Sequence, residues 1–264
     1  MMYAATRSEW APWKDRIIRW ATQHFGIDLS DAVESDPGHY TSFNAFFTRA
    51  LKRESRPIDP DPAAVVSPVD GEVSQAGVIH QGRLVQAKGR DFRLDELLAD
   101  GAQAHQFDGG SFITLYLAPR DYHRIHMPVA GTLTHMTHIP GRLFSVNHAT
   151  TRAIPRLFAR NERIVNLFDT PAGPLALVMV GAIFVGSMET RWAGTVTPVD
   201  RRLSRWDYAG RGNQPVSLDK GEEMGRFNMG STVILVCTDR VQWQEVIPGS
   251  SLRVGERIGN IADR

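Results

Sequence analysis

Apolar positions recur along the chain with two different periods. In "SEWAPWKDRIIRWATQHFGI" Trp13, Ile17, Trp20 and Ala21 fall at helical spacing, with Ser8 placed to cap the helix, Pro12 in its first turn, and Lys14, Asp15, Arg16 and Arg19 on the other face. A second helix is predicted in "TSFNAFFTRAL", where Phe43, Phe46, Phe47 and Leu51 make one stripe. The segment "SRPIDPDP" closes the helical part. From about Ala64 the period shortens to the alternating or β-branched runs "AVVSPVDGEVSQAGVI", "SFITLYLA", "GTLTHMTHI", "RIVNLFDTPAGPLALVMV", "GTVTPV" and "STVILV", interrupted by one short helix in "DFRLDELLADG". The pattern predicts an α+β protein. Its predominantly antiparallel β sandwich or barrel-like domain spans 61–264 and follows a small N-terminal helical segment, 1–60.

Composition narrows this picture. With 264 residues, 42% hydrophobic, the chain can bury a sizeable core, and its formal charge of +1 argues against recognition of nucleic acid through a broadly basic surface. The one cysteine, Cys237, sits in an apolar run and reads as a small buried hydrophobe, so neither a disulfide framework nor a cysteine zinc site is available. "PLALVMVGAIFVG" is too short for a membrane span and is broken by Gly181 and Gly186; a buried strand is the expectation. The N-terminus has no apolar signal core, so the protein is expected to stay in the cytoplasm. The first helix, rich in Trp and Arg, fits either packing on the domain or lying in a lipid headgroup layer.

Four segments could carry chemistry. "PRDYHRIHMPV" sets His123 and His126 three apart on what reads as extended chain, so the two rings face opposite ways and are expected to have different jobs. Asp70, in "SPVDGEV", reads as a hairpin-turn aspartate unless a partner promotes it. The polar segment "LFSVNHATTRAIPRLFARNERIV", with Asn147, His148, Arg152, Arg156, Arg160 and Arg163, reads as a functional loop whose arginines suit phosphate or carboxylate. In "RFNMGSTVILV" the Gly230-Ser231 peptide starts a strand. It could also react: a serine hydroxyl can attack the preceding carbonyl, glycine permits the close approach, and a histidine oriented by an aspartate can take the proton. If elimination then replaced hydrolysis, the new N-terminus would be a pyruvoyl ketone, able to form a Schiff base with an amine and accept electrons.

With these segments in view, the sequence resembles the bacterial phosphatidylserine decarboxylases, pyruvoyl enzymes that make phosphatidylethanolamine. The resemblance is carried by "FNAFFTRALKRESRPID", "SPVDGEVSQAG", "YLAPRDYHRIHMPVAG", "GRLFSVNHATTRAIPRLFARNERIV", "VGAIFVGSMETRWAGTVTP" and "KGEEMGRFNMGST", in that order over nearly the whole chain. Met229 stands where the family usually has Leu, and both termini look shorter than in the long family members.

The resemblance implies a self-cleaved precursor. Ser231 would be the attacking serine and pyruvoyl precursor, Gly230 the donor of the attacked carbonyl, His126 the base and Asp70 its orienting carboxylate, with His123 acting in decarboxylation. Cleavage would leave a large β chain, 1–230, and a small α chain, 231–264, held together by the "TVILV" strand. Tyr122, His148, Arg152 and Phe158 are expected to contact substrate. The expected partner is phosphatidylserine, reached from the cytoplasmic face of the membrane by a peripheral protein, and the processed protomers are expected to form a homodimer. No metal and no pyridoxal phosphate is expected. Two rival readings, a metallohydrolase built on His123, His126 and either His148 or an aspartate and a lipoyl-like carrier or lipid-binding module, lack a third ligand at a recognised spacing and a modifiable turn lysine respectively.

Overall fold

The computed structural model of the chain describes residues 2–183, 187–197, 202–210, 215–228 and 231–262. Its centre is an antiparallel sheet in which the Ser231–Cys237 strand lies between Gly173–Gly181 and Ser111–Leu117. Beyond Gly173–Gly181 come Arg163–Thr170, Gly131–Ile139 and the short edge strand Ser204–Asp207; beyond Ser111–Leu117 come Gly71–Val78 and the two-residue edge Ser251–Leu252. Every residue of Ser231–Cys237 is buried, which explains why that strand reads as an unbroken apolar run instead of alternating. Both edges are short, as edges exposed to other chains tend to be. The sheet stays open, so of the two forms the sequence allowed, the closed barrel is not the one adopted.

A second sheet, Gly194–Thr195, Met188–Thr190, Glu223–Phe227 and Arg124–His126, adds Met188, Met224, Phe227 and Ile125 to the core that Leu117, Val180 and Val233 build from the large sheet. The short helices Leu94–Leu98 and Leu157–Arg160 add Leu94, Leu97, Leu157 and Phe158. A third sheet, Ala64–Val66, Arg257–Ile261 and Val241–Trp243, ties the end of the chain to the start of the β-rich part.

The Asp70-Gly71 pair is not a hairpin turn. Ala64–Val66 pairs with Arg257–Ile261, whereas Gly71–Val78 pairs with Ser111–Leu117, so the chain crosses between sheets there. Glycine is needed at 71 because a Cβ would stand 2.6 Å from the Tyr116 carbonyl oxygen. The polar 143–165 segment likewise contains two helical turns, His148–Ala153, capped by Asn147, and Leu157–Arg160.

The N-terminal helices have their own apolar cluster. The Ala11–Phe25 helix turns Ile18 and Ala21 inward to meet Phe43, Phe46 and Phe47 of the Phe43–Phe47 helix, which Ser42 caps. The inward stripe is therefore displaced from the one the sequence predicts: Trp13 and Trp20 face out, 40% and 52% exposed, beside Trp10 at 68%. Ser8 does not cap this helix, whose N-cap position is Trp10. No helix among the described residues is long and apolar enough to cross a membrane.

Candidate active site

Ser231 opens the central strand, paired with Leu117 on one side and Gly181 on the other. It is fully buried, and its Oγ has no hydrogen-bond partner among the described residues. A hydroxyl left idle in a core costs about 1–3 kcal/mol, a cost shared here by the neighbouring Thr232 and Thr114 hydroxyls. Gly230 and Met229 lie outside the described residues.

The main chain ties His123 to the approach to Ser231. The Phe227 N–H donates to the His123 carbonyl at 3.0 Å, four residues ahead of Ser231. The His123 ring is fully buried against Phe47, centroids 4.1 Å apart, and its Nδ1 donates to the Asp121 carbonyl at 2.9 Å. That contact fixes the proton on Nδ1 and leaves Nε2 a bare lone pair, buried and without a partner among the described residues. Burial pushes its pKa down to about 3, so the ring is neutral through the physiological range.

His126 has different surroundings, in keeping with opposite faces of an extended segment. Its Nδ1 meets the Gly221 carbonyl at 2.8 Å and its Nε2 the Tyr122 hydroxyl at 3.1 Å. Burial lowers its pKa and raises that of the Tyr122 phenol, so this contact joins a neutral imidazole acceptor to a protonated phenol.

Asp70 and His126 are neighbours without a hydrogen bond between them. The His126 N–H donates to Pro68, two residues before Asp70, yet the Asp70 carboxylate is taken by Arg56 and by the Val254 N–H at 2.9 Å. Arg56 and Tyr122 line both of two adjoining cavities, of about 300 and 400 Å³, the first reaching Asp70 and the second His126. Arg56 thus engages Asp70 and Tyr122 engages His126.

The remaining predicted contacts separate. His148 pairs with Glu72 at 3.0 Å and lies against the Tyr116 ring, while Arg152 folds back onto the His148 carbonyl. Phe158 is buried in the core against Phe92, centroids 5.8 Å apart. Three residues that the sequence reading passed over belong here: Arg56, Arg49 and Asn228. Asn228 is 1% exposed, donates through Nδ2 to Ser187 Oγ at 2.6 Å and Glu189 Oε1 at 2.8 Å, and accepts from Asn44 Nδ2 at 2.9 Å. Asn44 comes from the N-terminal helical layer, so that layer reaches within three residues of Ser231. The position of Asn228 beside the Gly-Ser pair was the only local signal for it.

Conversion of Ser231 to a pyruvoyl group would turn its Cα into a ketone carbon and its side chain into a methyl. The change would remove an unsatisfied donor from a buried site, and main-chain pairing of the residues that follow would keep the strand in place.

Fold and site together describe an α+β chain with a buried serine at one end of its central antiparallel sheet and a buried histidine tied by the main chain to the approach to that serine. Comparison with known proteins makes this particular. The phosphatidylserine decarboxylase family model matches residues 43–260. The chain is 55% identical over 252 residues to the phosphatidylserine decarboxylase proenzyme of Azotobacter vinelandii, covering 94% of this chain and 88% of the relative. It is 52% identical over 255 residues to that of Stutzerimonas stutzeri, covering 95% and 86%, and 51% identical over 249 residues to that of Bordetella pertussis, covering 93% and 84%. The chain belongs to the phosphatidylserine decarboxylase family and is a decarboxylase, a lyase.

Proposed function

We propose that this chain cuts its own backbone between Gly230 and Ser231 and uses the resulting pyruvoyl group to convert phosphatidylserine to phosphatidylethanolamine and carbon dioxide. The observation that carries the proposal is the buried Ser231 hydroxyl, without a hydrogen-bond partner among the described residues, at the first position of a strand paired on both sides.

In the proposed cleavage a base removes the Oγ proton, Oγ bonds to the Gly230 carbonyl carbon, and the carbon–nitrogen bond breaks as the nitrogen takes up a proton. The ester then leaves by elimination: the Ser231 Cα proton departs, the Oγ–Cβ bond breaks, and Gly230 ends in a carboxylate. One water then replaces the nitrogen, which is lost as ammonia. We assign the base to His126, oriented by Asp70. The His126–Pro68 main-chain bond supports this by bringing the two segments together. For the assignment to work, Arg56 and Tyr122 must yield their contacts with Asp70 and His126.

When formed, the pyruvoyl group supplies an electron sink for loss of carbon dioxide from the carbon bearing the substrate amine. His123 presents its bare Nε2 to the reacting end of the substrate, where it can hold a proton and return it to carbon. A dry, neutral ring suits that task because burial keeps it unprotonated until a reaction delivers the proton.

We also take residues 1–60 as a membrane-associating segment and 61–264 as the catalytic domain. The outward-facing Trp10, Trp13 and Trp20 support seating the helical segment in a headgroup layer at the cytoplasmic face, with processed protomers paired as homodimers. Denaturing electrophoresis with a carbon dioxide assay tests the function: the wild-type chain should run as two bands and release carbon dioxide from phosphatidylserine, and Ser231→Ala should do neither. A single wild-type band with full activity contradicts the proposal.

A further inference from the structure

Arg49 is a buried cation with no carboxylate hydrogen-bonded to it among the described residues. The residue is 5% exposed; Nη2 donates to the Arg120 carbonyl at 3.0 Å, while Nε and Nη1 are buried and have no hydrogen-bond partner among the described residues. The Phe46 ring lies 5.9 Å from the guanidinium carbon and offers no acceptor oxygen. Burying a charge is unfavourable unless it is paired, and idle guanidinium donors add to the penalty.

Carboxylates in the same cavity of about 300 Å³, Asp70 and Asp121 among them, favour the charge from a distance but give the guanidinium no hydrogen bond among the described residues. Asp70 and Asp31 are taken by Arg56, Glu72 by His148, and Asp28 by Ser30, while Asp121 spends Oδ2 on the Ala118 N–H. Arg49 is also close to His123, whose protonation its charge disfavours. Its Nη2 holds the carbonyl three residues before His123, and Phe47, two residues before Arg49, packs on the His123 ring.

We propose that Arg49 is the anion-recognition residue of the substrate site, its free Nε and Nη1 donating to the negatively charged oxygens of the headgroup. The carboxylate and the phosphodiester of phosphatidylserine both offer the paired oxygens that a planar guanidinium reads. The proposal rests on the reading that this chain decarboxylates phosphatidylserine at Ser231. It gives Arg49 a part in recognition that its position in "FFTRAL" did not suggest.

The test uses processed enzyme with a soluble short-chain phosphatidylserine. Arg49→Gln should raise KM about tenfold or more, as expected for lost charged hydrogen bonds, with a smaller effect on kcat, and Arg49→Lys should fall between it and the wild type. Recovery of both variants as two chains shows that fold and cleavage survive. Two competitors separate the oxygens. Glycerophosphoethanolamine carries the phosphodiester without the carboxylate and free serine the reverse, so the one that competes in the wild type, and competes less well in the variants, names the anion. If Arg49→Gln does not accumulate, the wild-type competition and the lysine variant carry the comparison. Unchanged KM in the variants, or no competition by either compound, overturns the proposal. A wild-type chain that stays single and inactive overturns the underlying reading instead.

Discussion

The guanidinium of Arg56 holds the carboxylate of Asp70 through three hydrogen bonds of 2.9, 3.0 and 2.6 Å, with 13% and 11% of the two side chains exposed. A pair this enclosed is costly to break from one side, because the remaining charge keeps its burial and loses its partner. Arg56→Met should therefore lower folding stability by about 3 kcal/mol, read by urea titration. The measurement belongs in a Ser231→Ala background, where one unbroken chain unfolds and two-state bookkeeping applies. A loss within experimental error of zero would mean that the contact is as weak as an exposed ion pair.

Asn228 carries a second prediction. Its amide joins Ser187, Glu189 and Asn44 just ahead of the proposed scissile bond, so Asn228→Ala should slow self-cleavage and lower stability by about 1–3 kcal/mol. Asn44→Ala removes one of these contacts and should slow cleavage less. The check is the fraction of two-chain product against time after synthesis. Cleavage at the wild-type rate in Asn228→Ala would show that the clamp does not position the bond.

The two histidines should fail in different ways. His126→Ala should block cleavage and leave a single chain, whereas His123→Ala should cleave at least in part and yet release no carbon dioxide. Electrophoresis and carbon dioxide release on the same preparations separate the outcomes. Equal cleavage by both variants would contradict the division of labour.

Acid stability offers a fourth test. Burial holds His123 at a pKa of about 3 in the folded chain, against 6.5 when exposed. Between those values the unfolded chain binds a proton that the folded chain refuses, so this contribution is complete above about pH 6.5 and is lost as pH falls towards 3. Asp121 works the other way. Burial raises it from 3.8 to about 6, so the folded chain keeps a proton that the unfolded chain has released, and that contribution is lost as pH rises through the window. Each slope is about 1.4 kcal/mol per pH unit, and the two oppose each other between roughly pH 4 and 6. In the Ser231→Ala background, Asp121→Asn should therefore lose stability more steeply on acidification than its parent across that range. Parallel curves would show that Asp121 titrates at its ordinary value.

Much of this architecture was legible in the sequence because it depends on local periodicity. The Ser231–Cys237 strand, the buried Cys237 and the extended segment that separates His123 from His126 all follow from spacing. What escaped depends on contacts between distant parts of the chain. Arg49 reaches Arg120 across 71 residues and Asn44 reaches Asn228 across 184, and neither motif hints at its partner. The Asp70-Gly71 pair misled for the same reason: the dipeptide favours a hairpin locally, but the flanking strands find better partners in two different sheets. The first helix shows a third cause. Its tryptophans fit the apolar period, yet the cluster around Phe43, Phe46 and Phe47 receives Ile18 and Ala21 and leaves Trp10, Trp13 and Trp20 outside.

Whether Ser231 becomes a pyruvoyl ketone is measured directly by intact mass spectrometry of the purified wild-type protein. Two chains are predicted, 1–230 and 231–264, the smaller lighter by one ammonia than a fragment beginning with serine. A single full-length mass, or a small chain retaining its serine amine, would contradict the account.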